Sequence, residues 1–409
     1  MNSSHAWSNR VKAILLGLGL GLVFHTSGNW WKILTDRVPE CGQPNCVADF
    51  VTFYAEAKLF WDEPQSLYDL DRQLAYQKRI APTERVLPFV YPPITAALMA
   101  PLALLPFPIA FLAMTLLNLA LLMVSLRLLI RKLSLTRDQA QWLLLFALCN
   151  FGAHAVVFYG QTSAIILYFL TGHILAQKQS AEYKAGIWAA LLSVKPQFLP
   201  IPHGILFLRG QWRGLLLGVF FSLALIAGAF LFVGVETSKQ YFDLARRMMV
   251  ADDDWWNQWR SMHNLRALTI YWLPPTWQAY VWWAGITLAF SAVIAVNLRW
   301  NKKADGFALT WIVNVLGLLI VIPHLFTHDL TLLILPCALF LSLFKQGVPL
   351  LVGLGLVLLA ALPAVNHVLP TSMATALVIL YILSLTQVAA RTAERSSGPQ
   401  NLLPSANTL

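Results

Sequence analysis

Three clusters of residues in this chain could do chemistry. The first is Asp49, a lone carboxylate opening the stretch VADFVTFYAEAKLFW. From Phe50 the apolar residues fall at Phe50, Phe53, Tyr54, Ala57, Phe60 and Trp61, which is one face of a helix. The spacing predicts a helix lying along a membrane surface, with Asp49 at its N-terminus, where unpaired backbone N–H groups and the helix dipole favour a negative charge. Two readings of Asp49 follow: an N-cap, for which Asp is a preferred residue, or a general base able to take a proton from a hydroxyl. The second cluster is Lys195 in LSVKPQ, an ammonium between two apolar half-helices, costly there unless it is paired or wet. It is either a paired structural lysine or a ligand-binding one.

The third is the late sequence PHLFTHDL, with His324 and His328 spaced by four. On a helix they would share a face and suit zinc, but Pro323 favours a loop and no HExxH glutamate accompanies them. Interfacial hydrogen bonding, or donation to a phosphate, fits them better. The run from Asp252 to Arg266 adds three consecutive aspartates, which do not converge on one cation and read as a solvated acidic run. It also adds Trp255, Trp256 and Trp259, residues of an interfacial belt. Arg260, His263 and Arg266, spaced by three, could present one cationic face to a lipid phosphate. No metal or other cofactor is expected.

The elements that must position these groups are membrane helices. The chain has 409 residues, 58% hydrophobic and 12% charged, with apolar runs long enough to cross a hydrocarbon core of about 30 Å. The fold class is all-α: a polytopic membrane protein of about 11 to 12 transmembrane or half-membrane helices. The net charge of +10 does not point to nucleic acid, because the basic residues lie in short segments between spans, where they set orientation. The first apolar run, from Ala13 to His25, follows Arg10 and Lys12 and reads as a retained first span rather than a cleaved signal.

That orientation places both termini in the cytoplasm, with outer loops over 29–90 and 236–275. Residues 1–395 form a single membrane-embedded domain, and 396–409 a disordered cytoplasmic tail. Pro92 to Leu105 is a short or re-entrant helix bounded by prolines, and Phe107 to Leu126 a full span. Ala185 to Leu208, interrupted at Lys195-Pro196-Gln197, reads as two half-helices whose tip lies inside the protein. Asp49, Tyr159-Gly160-Gln161, Lys195, the 236–275 loop and the late histidines then all fall on the outer side. Cys149 and Cys337 lie within spans. Cys41 and Cys46 flank a Gly-Gln-Pro-Asn turn in the outer loop and could form a small disulfide in an oxidising compartment.

ADFVTFYAEAKLF, SLYDLDRQLAYQ and FVYPPITAALMAPLALLPF, continued by GQTSAIILYF and LSVKPQ, resemble the polytopic glycosyltransferase family 87. PHLFTHDL is a looser likeness. The resemblance implies a GT-C type helical bundle with surface helices in the first outer loop and an active site on the periplasmic or extracellular side, as in a protein of a bacterial inner membrane. It implies inverting transfer of a hexose, most simply mannose, from a polyprenyl-phosphate donor to a lipid or glycan acceptor. The loop aspartate that serves as base maps onto Asp49, and the late histidine onto His324 or His328. Lys195, Arg260, Arg266, His324 and His328 are then the candidates for the donor phosphate. Tyr54, Tyr91, Gln161, Gln197 and His263 are candidates for substrate contact. The expected partners are the lipid-linked donor, the acceptor and membrane lipids. A transporter or flippase for a lipid-linked sugar is the alternative, although no duplicated pair of broken helices is visible.

Overall fold

The computed structural model describes residues 9–24, 48–250, 261–300, 304–345, 347–365 and 368–396. Among them the chain is predominantly helical, and the β pairing is a single isolated antiparallel bridge, Met262 to Phe326. Cys41, Cys46, Asp252 to Arg260 and the tail beyond Ser396 lie outside the described residues.

A first helix, α1, covers 9–24. Then come α2 (Ala48–Asp62) and α3 (Leu70–Lys78), the latter started by Asp69, whose carboxylate accepts from the amides of Asp71 and Arg72. α4 (Pro93–Met99) carries its proline in the first turn, where the missing N–H costs nothing, and tightens into a 3-10 turn, Ala100–Leu104. This is the short proline-bounded helix expected from sequence.

The first long span is α5 (Phe107–Lys132), ending on Arg131 and Lys132, cations suited to the negative end of the helix dipole. A capping box between Thr136 and Gln139 begins α6 (Arg137–Cys149), and α7 (Phe151–Tyr159) follows after a 51° bend. Sequence periodicity reads this pair as one straight span. Asn150 breaks it: its side chain caps α7 by accepting from the Ala153 amide at 2.8 Å.

After α8 (Ser163–Lys178), α9 (Glu182–Leu191) and α10 (Pro200–Leu208) form the interrupted hairpin, with two 3-10 turns on either side of Lys195. α9 lies backbone to backbone on α11 (Trp212–Val233) at Gly186 and Gly214, and this contact fixes the hairpin against a full span. α12 (Val235–Val250) and α13 (Leu265–Trp272) flank the second long loop. The rest of the bundle is α14 (Pro275–Trp300), α15 (Ala304–Val321), a 3-10 segment (Thr327–Leu333) running into α16 (Ile334–Leu341), α17 (Leu350–Ala361) and α18 (Ser372–Ser396).

Among the described residues, four helices, α5, α11, α14 and α18, are long and apolar enough to cross a membrane, and the bent α6–α7 pair makes a fifth if it is one span. Shorter apolar helices, among them Gly306–Val321 and Thr327–Leu341, accompany them. The protein is an all-α polytopic membrane protein.

Two apolar cores result. One fills the bundle of α6 to α8 and α15 to α18, and the other lies under α2, α4 and α5. The first turn of α8 belongs to both, since Ala164 packs into one core and Ile165 into the other. The expectation that α2 would lie half-exposed on a surface needs correction. Phe50, Val51, Ala55, Glu56, Ala57 and Leu59 are all 0% exposed, because α3 covers one side and α4 with its 3-10 turn another. Only at its end does a large side chain emerge, Trp61, which still donates to the Ala100 carbonyl at 2.8 Å.

Candidate active site

The described part of α2 begins at Ala48, so Asp49 stands within the first helical turn, a half-exposed acid at the positive end of the helix dipole. Its neighbour Phe50 is fixed from three sides. The ring packs on Phe107 and Phe111, with centroids 5.5 and 5.3 Å away, and Gly160 closes over it. Gly160 ends α7 with φ +63°, and a Cβ there would come within 2.9 Å of the Phe50 Cβ. Glycine is therefore required on two counts, its left-handed backbone and the close approach.

Within electrostatic reach of Asp49 lies a buried ionic cluster. The Lys195 ammonium, at the tip of the α9–α10 hairpin, lies 2.8 Å from Asp329 Oδ1, and both side chains are 2% exposed. Ser163, at the start of α8, donates to the same oxygen at 2.6 Å and lies 3.4 Å from the ammonium. His328 Nε2 is 3.5 Å from the other Asp329 oxygen. The Tyr91 ring sits beneath the ammonium, with its centroid 5.6 Å away, and the Tyr91 hydroxyl is 3.4 Å from Gln161 Oε1. Desolvation pushes the Tyr91 phenol up to about 12, so it remains a hydrogen-bond donor. The Asp49 carboxylate is close enough to act electrostatically on Tyr91, Lys195 and His328 alike.

The segment bearing Asp329 is held by α7. Gly152 lets the backbone of Thr327 and Thr331 approach so closely that a Cβ would meet the Thr331 nitrogen at 2.6 Å. Asn150, the residue that bends α6 from α7, also donates to the Leu330 carbonyl at 3.4 Å. The bend and the site thus share one residue.

Next to this cluster the two loops that precede α13 and follow α15 are knitted together. The His263 amide donates to the Leu325 carbonyl at 2.8 Å, and His263 Nε2 is 2.9 Å from Thr327 Oγ1. Asn264 caps α13 and donates to the Ile322 carbonyl. Arg266 Nη1 donates to His324 Nε2 at 3.2 Å, with its guanidinium 5.6 Å from the Trp282 ring centroid. Accepting at Nε2 leaves the His324 proton on Nδ1, a buried atom without a partner. Burial, reinforced by the Arg266 charge, lowers His324 to about 4, and burial lowers His263 to about 4, so both imidazoles are neutral near pH 7.

The structure therefore brings Tyr91, Gln161, Lys195 and His328 into one cluster within electrostatic reach of Asp49, and His263, Arg266 and His324 into a second beside it, around the loop that leads from α15 into the 3-10 segment. It does not bring Tyr54 there: that hydroxyl donates to the Leu105 carbonyl at 2.6 Å, on the α5 side of α2. Gln197 lies half-buried in the turn after Lys195. His263 is in the bridged segment and α13 starts only at Leu265, so His263 and Arg266 do not share one helix; Arg260, the third residue of the expected cationic face, is outside the described residues.

Sequence reasoning missed Asp329 and Ser163 altogether. Asp329 stood in view within PHLFTHDL, but its partner is 134 residues away in the chain, and no local pattern announces such a pair. Lys195 is the paired lysine of the two readings, with its ammonium directed at Asp329, Ser163 and the Tyr91 ring.

Chemically, the arrangement offers one accessible carboxylate next to a buried, charge-balanced group, and beside it an arginine and a neutral imidazole N–H. That combination can remove a proton from a hydroxyl and hold an anionic oxygen. A family model described as glycosyltransferase family 87 matches residues 89–323, more than half of the chain; His324 and His328 lie just beyond its end, and Asp49 well before its start. No curated protein and no solved structure matches the chain.

Proposed function

The chain belongs to glycosyltransferase family 87 and is a glycosyltransferase, and from that premise we propose that Asp49 is the base of a metal-independent, inverting transfer of a hexose, mannose in the simplest case, from a polyprenyl-phosphate donor. The observation that carries this reading is the placement of Asp49: a half-exposed carboxylate at the start of a buried helix, within electrostatic reach of Tyr91, Lys195 and His328.

An acceptor hydroxyl is a poor nucleophile near neutral pH. A carboxylate that takes its proton as the bond to the anomeric carbon forms contributes roughly 10² to 10⁴-fold. Attack in one step inverts that carbon. The leaving group is a lipid phosphate, which departs without general-acid help and is stabilised by donors aimed at its oxygens. Arg266, together with the Nδ1–H of His324, supplies such donors, and His328 is a third. Lys195 supports the reaction from beneath. Its charge, partly balanced by Asp329, steadies the site against the developing charge.

The membrane setting suits both substrates, since donor and acceptor lipids reach the site without leaving the bilayer. In this reading the bundle is of GT-C type and the site opens on the periplasmic or extracellular side, with the acceptor a lipid or a glycan. Purified protein incubated with labelled polyprenyl-phosphate mannose and a membrane lipid extract should release free polyprenyl phosphate. Intact donor, with hexose delivered only from other carriers, would reject the donor assignment.

A further inference from the structure

The segment Leu87 to Pro92, LPFVYP, leads into α4 and is extended and stiff, since prolines at 88 and 92, and at 93 where α4 begins, restrict its backbone. It has no strand beside it. Its backbone is paired instead by side chains from α3 and the turn before it. Gln77 makes a two-point contact with Leu87, Nε2 donating to the carbonyl at 2.7 Å and Oε1 accepting from the amide at 2.8 Å. Gln73 Oε1 accepts from the Phe89 amide at 3.1 Å, while its Nε2 donates to the Leu67 carbonyl at 2.8 Å. Tyr68 donates its hydroxyl to the Tyr91 carbonyl at 2.7 Å.

Leu87, Phe89 and Tyr91 are alternate residues of an extended chain, so their side chains share one side. Gln73 and Gln77, four apart, share one face of α3. Both glutamines are 0% exposed, and burying two primary amides is costly unless each finds partners. Here they find them on the segment that ends in Tyr91. The Tyr91 ring packs on Phe53 and Phe89 at 5.0 and 5.6 Å and lies under the Lys195 ammonium.

We infer that Gln73 and Gln77 are positioning residues of the active site: their amides act as a substitute strand that sets the register of residues 87–91 and so the place of Tyr91 beneath Lys195. The inference rests on the reading that Asp49, Tyr91 and Lys195 form that site. A shift of the segment by about 1 Å would move the ring under the ammonium, and misplacements of that size cost up to the order of 10²-fold in rate.

The test uses the full chain in lipid nanodiscs and the near-isosteric variants Gln73→Met and Gln73→Met/Gln77→Met. Hydrogen exchange over residues 87–91, slow in the unaltered protein, should accelerate at least about tenfold in the double variant as the amides of Leu87 and Phe89 lose their acceptors. Glycosyl transfer should lose about tenfold in kcat with KM within about twofold. In a Tyr91→Leu background the same glutamine changes should alter kcat by less than about twofold, because the effect passes through the ring. The single Gln73→Met variant, which keeps the two-point contact, should fall between.

Unchanged exchange would show that the amides do not hold the segment. Faster exchange with full kcat, or an equal kcat loss with and without Tyr91, would show that they do not position the site. Full transfer by Asp49→Asn would remove the base proposed above while leaving the exchange signature and its dependence on Tyr91 intact.

Discussion

The Lys195 ammonium and the Asp329 carboxylate meet at 2.8 Å where neither side chain is more than 2% exposed, joining the tip of the interrupted α9–α10 hairpin to the 3-10 segment before α16. An ion pair so placed has little water to fall back on, and the loss of one partner strands the other. Breaking such a pair costs about 3–5 kcal/mol, while replacing both partners with apolar residues is often neutral.

Lys195→Met and Asp329→Leu should therefore each destabilise the fold by about 3–5 kcal/mol, and the double variant should recover most of that loss. Reversible denaturation in micelles measures it. The double variant should nevertheless remain poorly active, since the charge beneath Asp49 is gone. Wild-type transfer by a well-folded double variant would make the pair purely architectural.

Gly160→Ala tests how Asp49 is aimed. The left-handed backbone costs an alanine about 1–2 kcal/mol, and the new methyl would press on the Phe50 ring from 2.8 Å. The ring has no room to retreat, with Phe107 and Phe111 behind it. The expected result is a lower melting temperature together with a loss of transfer that exceeds the loss of folded protein. An unaltered rate per folded molecule would mean that Phe50 yields without disturbing Asp49.

Stability should fall on both sides of a middle pH. Glu56, on α2 two turns beyond Asp49, has both carboxylate oxygens buried, and burial, only partly offset by the Gln77 amide, holds its pKa well above the usual glutamate range. The folded protein keeps this proton after the unfolded chain has released it. Its contribution is thus complete below the ordinary glutamate pKa and is lost as pH rises through the raised one. His263 and His324, lowered to about 4 by burial, work in the other direction, their stability falling away as pH drops from about 6.5 toward 4. Glu56→Gln should flatten the alkaline limb of a melting-temperature profile and leave the acid limb in place. An alkaline limb that persists in Glu56→Gln would assign it to another group.

Much of this architecture was readable in the residues themselves. Prolines bound the short helix after Tyr91 and break the hairpin at Lys195, and basic residues close the spans, because helix ends and membrane boundaries leave local signals. The break at Asn150 was not readable: a single polar residue in an apolar run does not announce that it caps a second helix. Nor was the burial of α2 on nearly every side. Its helical stripe pointed to one apolar face, but α3 and the turn after α4 cover the rest, and they do so through contacts that periodicity does not record. The pairing of Lys195 with Asp329 was hidden for the same reason, since it is made by tertiary folding between residues far apart in the chain. Asp49 itself was found by its isolation at a helix start, and its surroundings came only with the fold.

The most direct test of the account is the rate of Asp49→Asn. Asparagine is about as good a residue as aspartate at a helix start, so the variant should insert, purify and melt like the unaltered protein. With labelled polyprenyl-phosphate sugar and acceptor it should transfer more slowly by roughly 10² to 10⁴-fold, the share a positioned base contributes. A rate equal to that of the unaltered protein would contradict the assignment of Asp49 as the base.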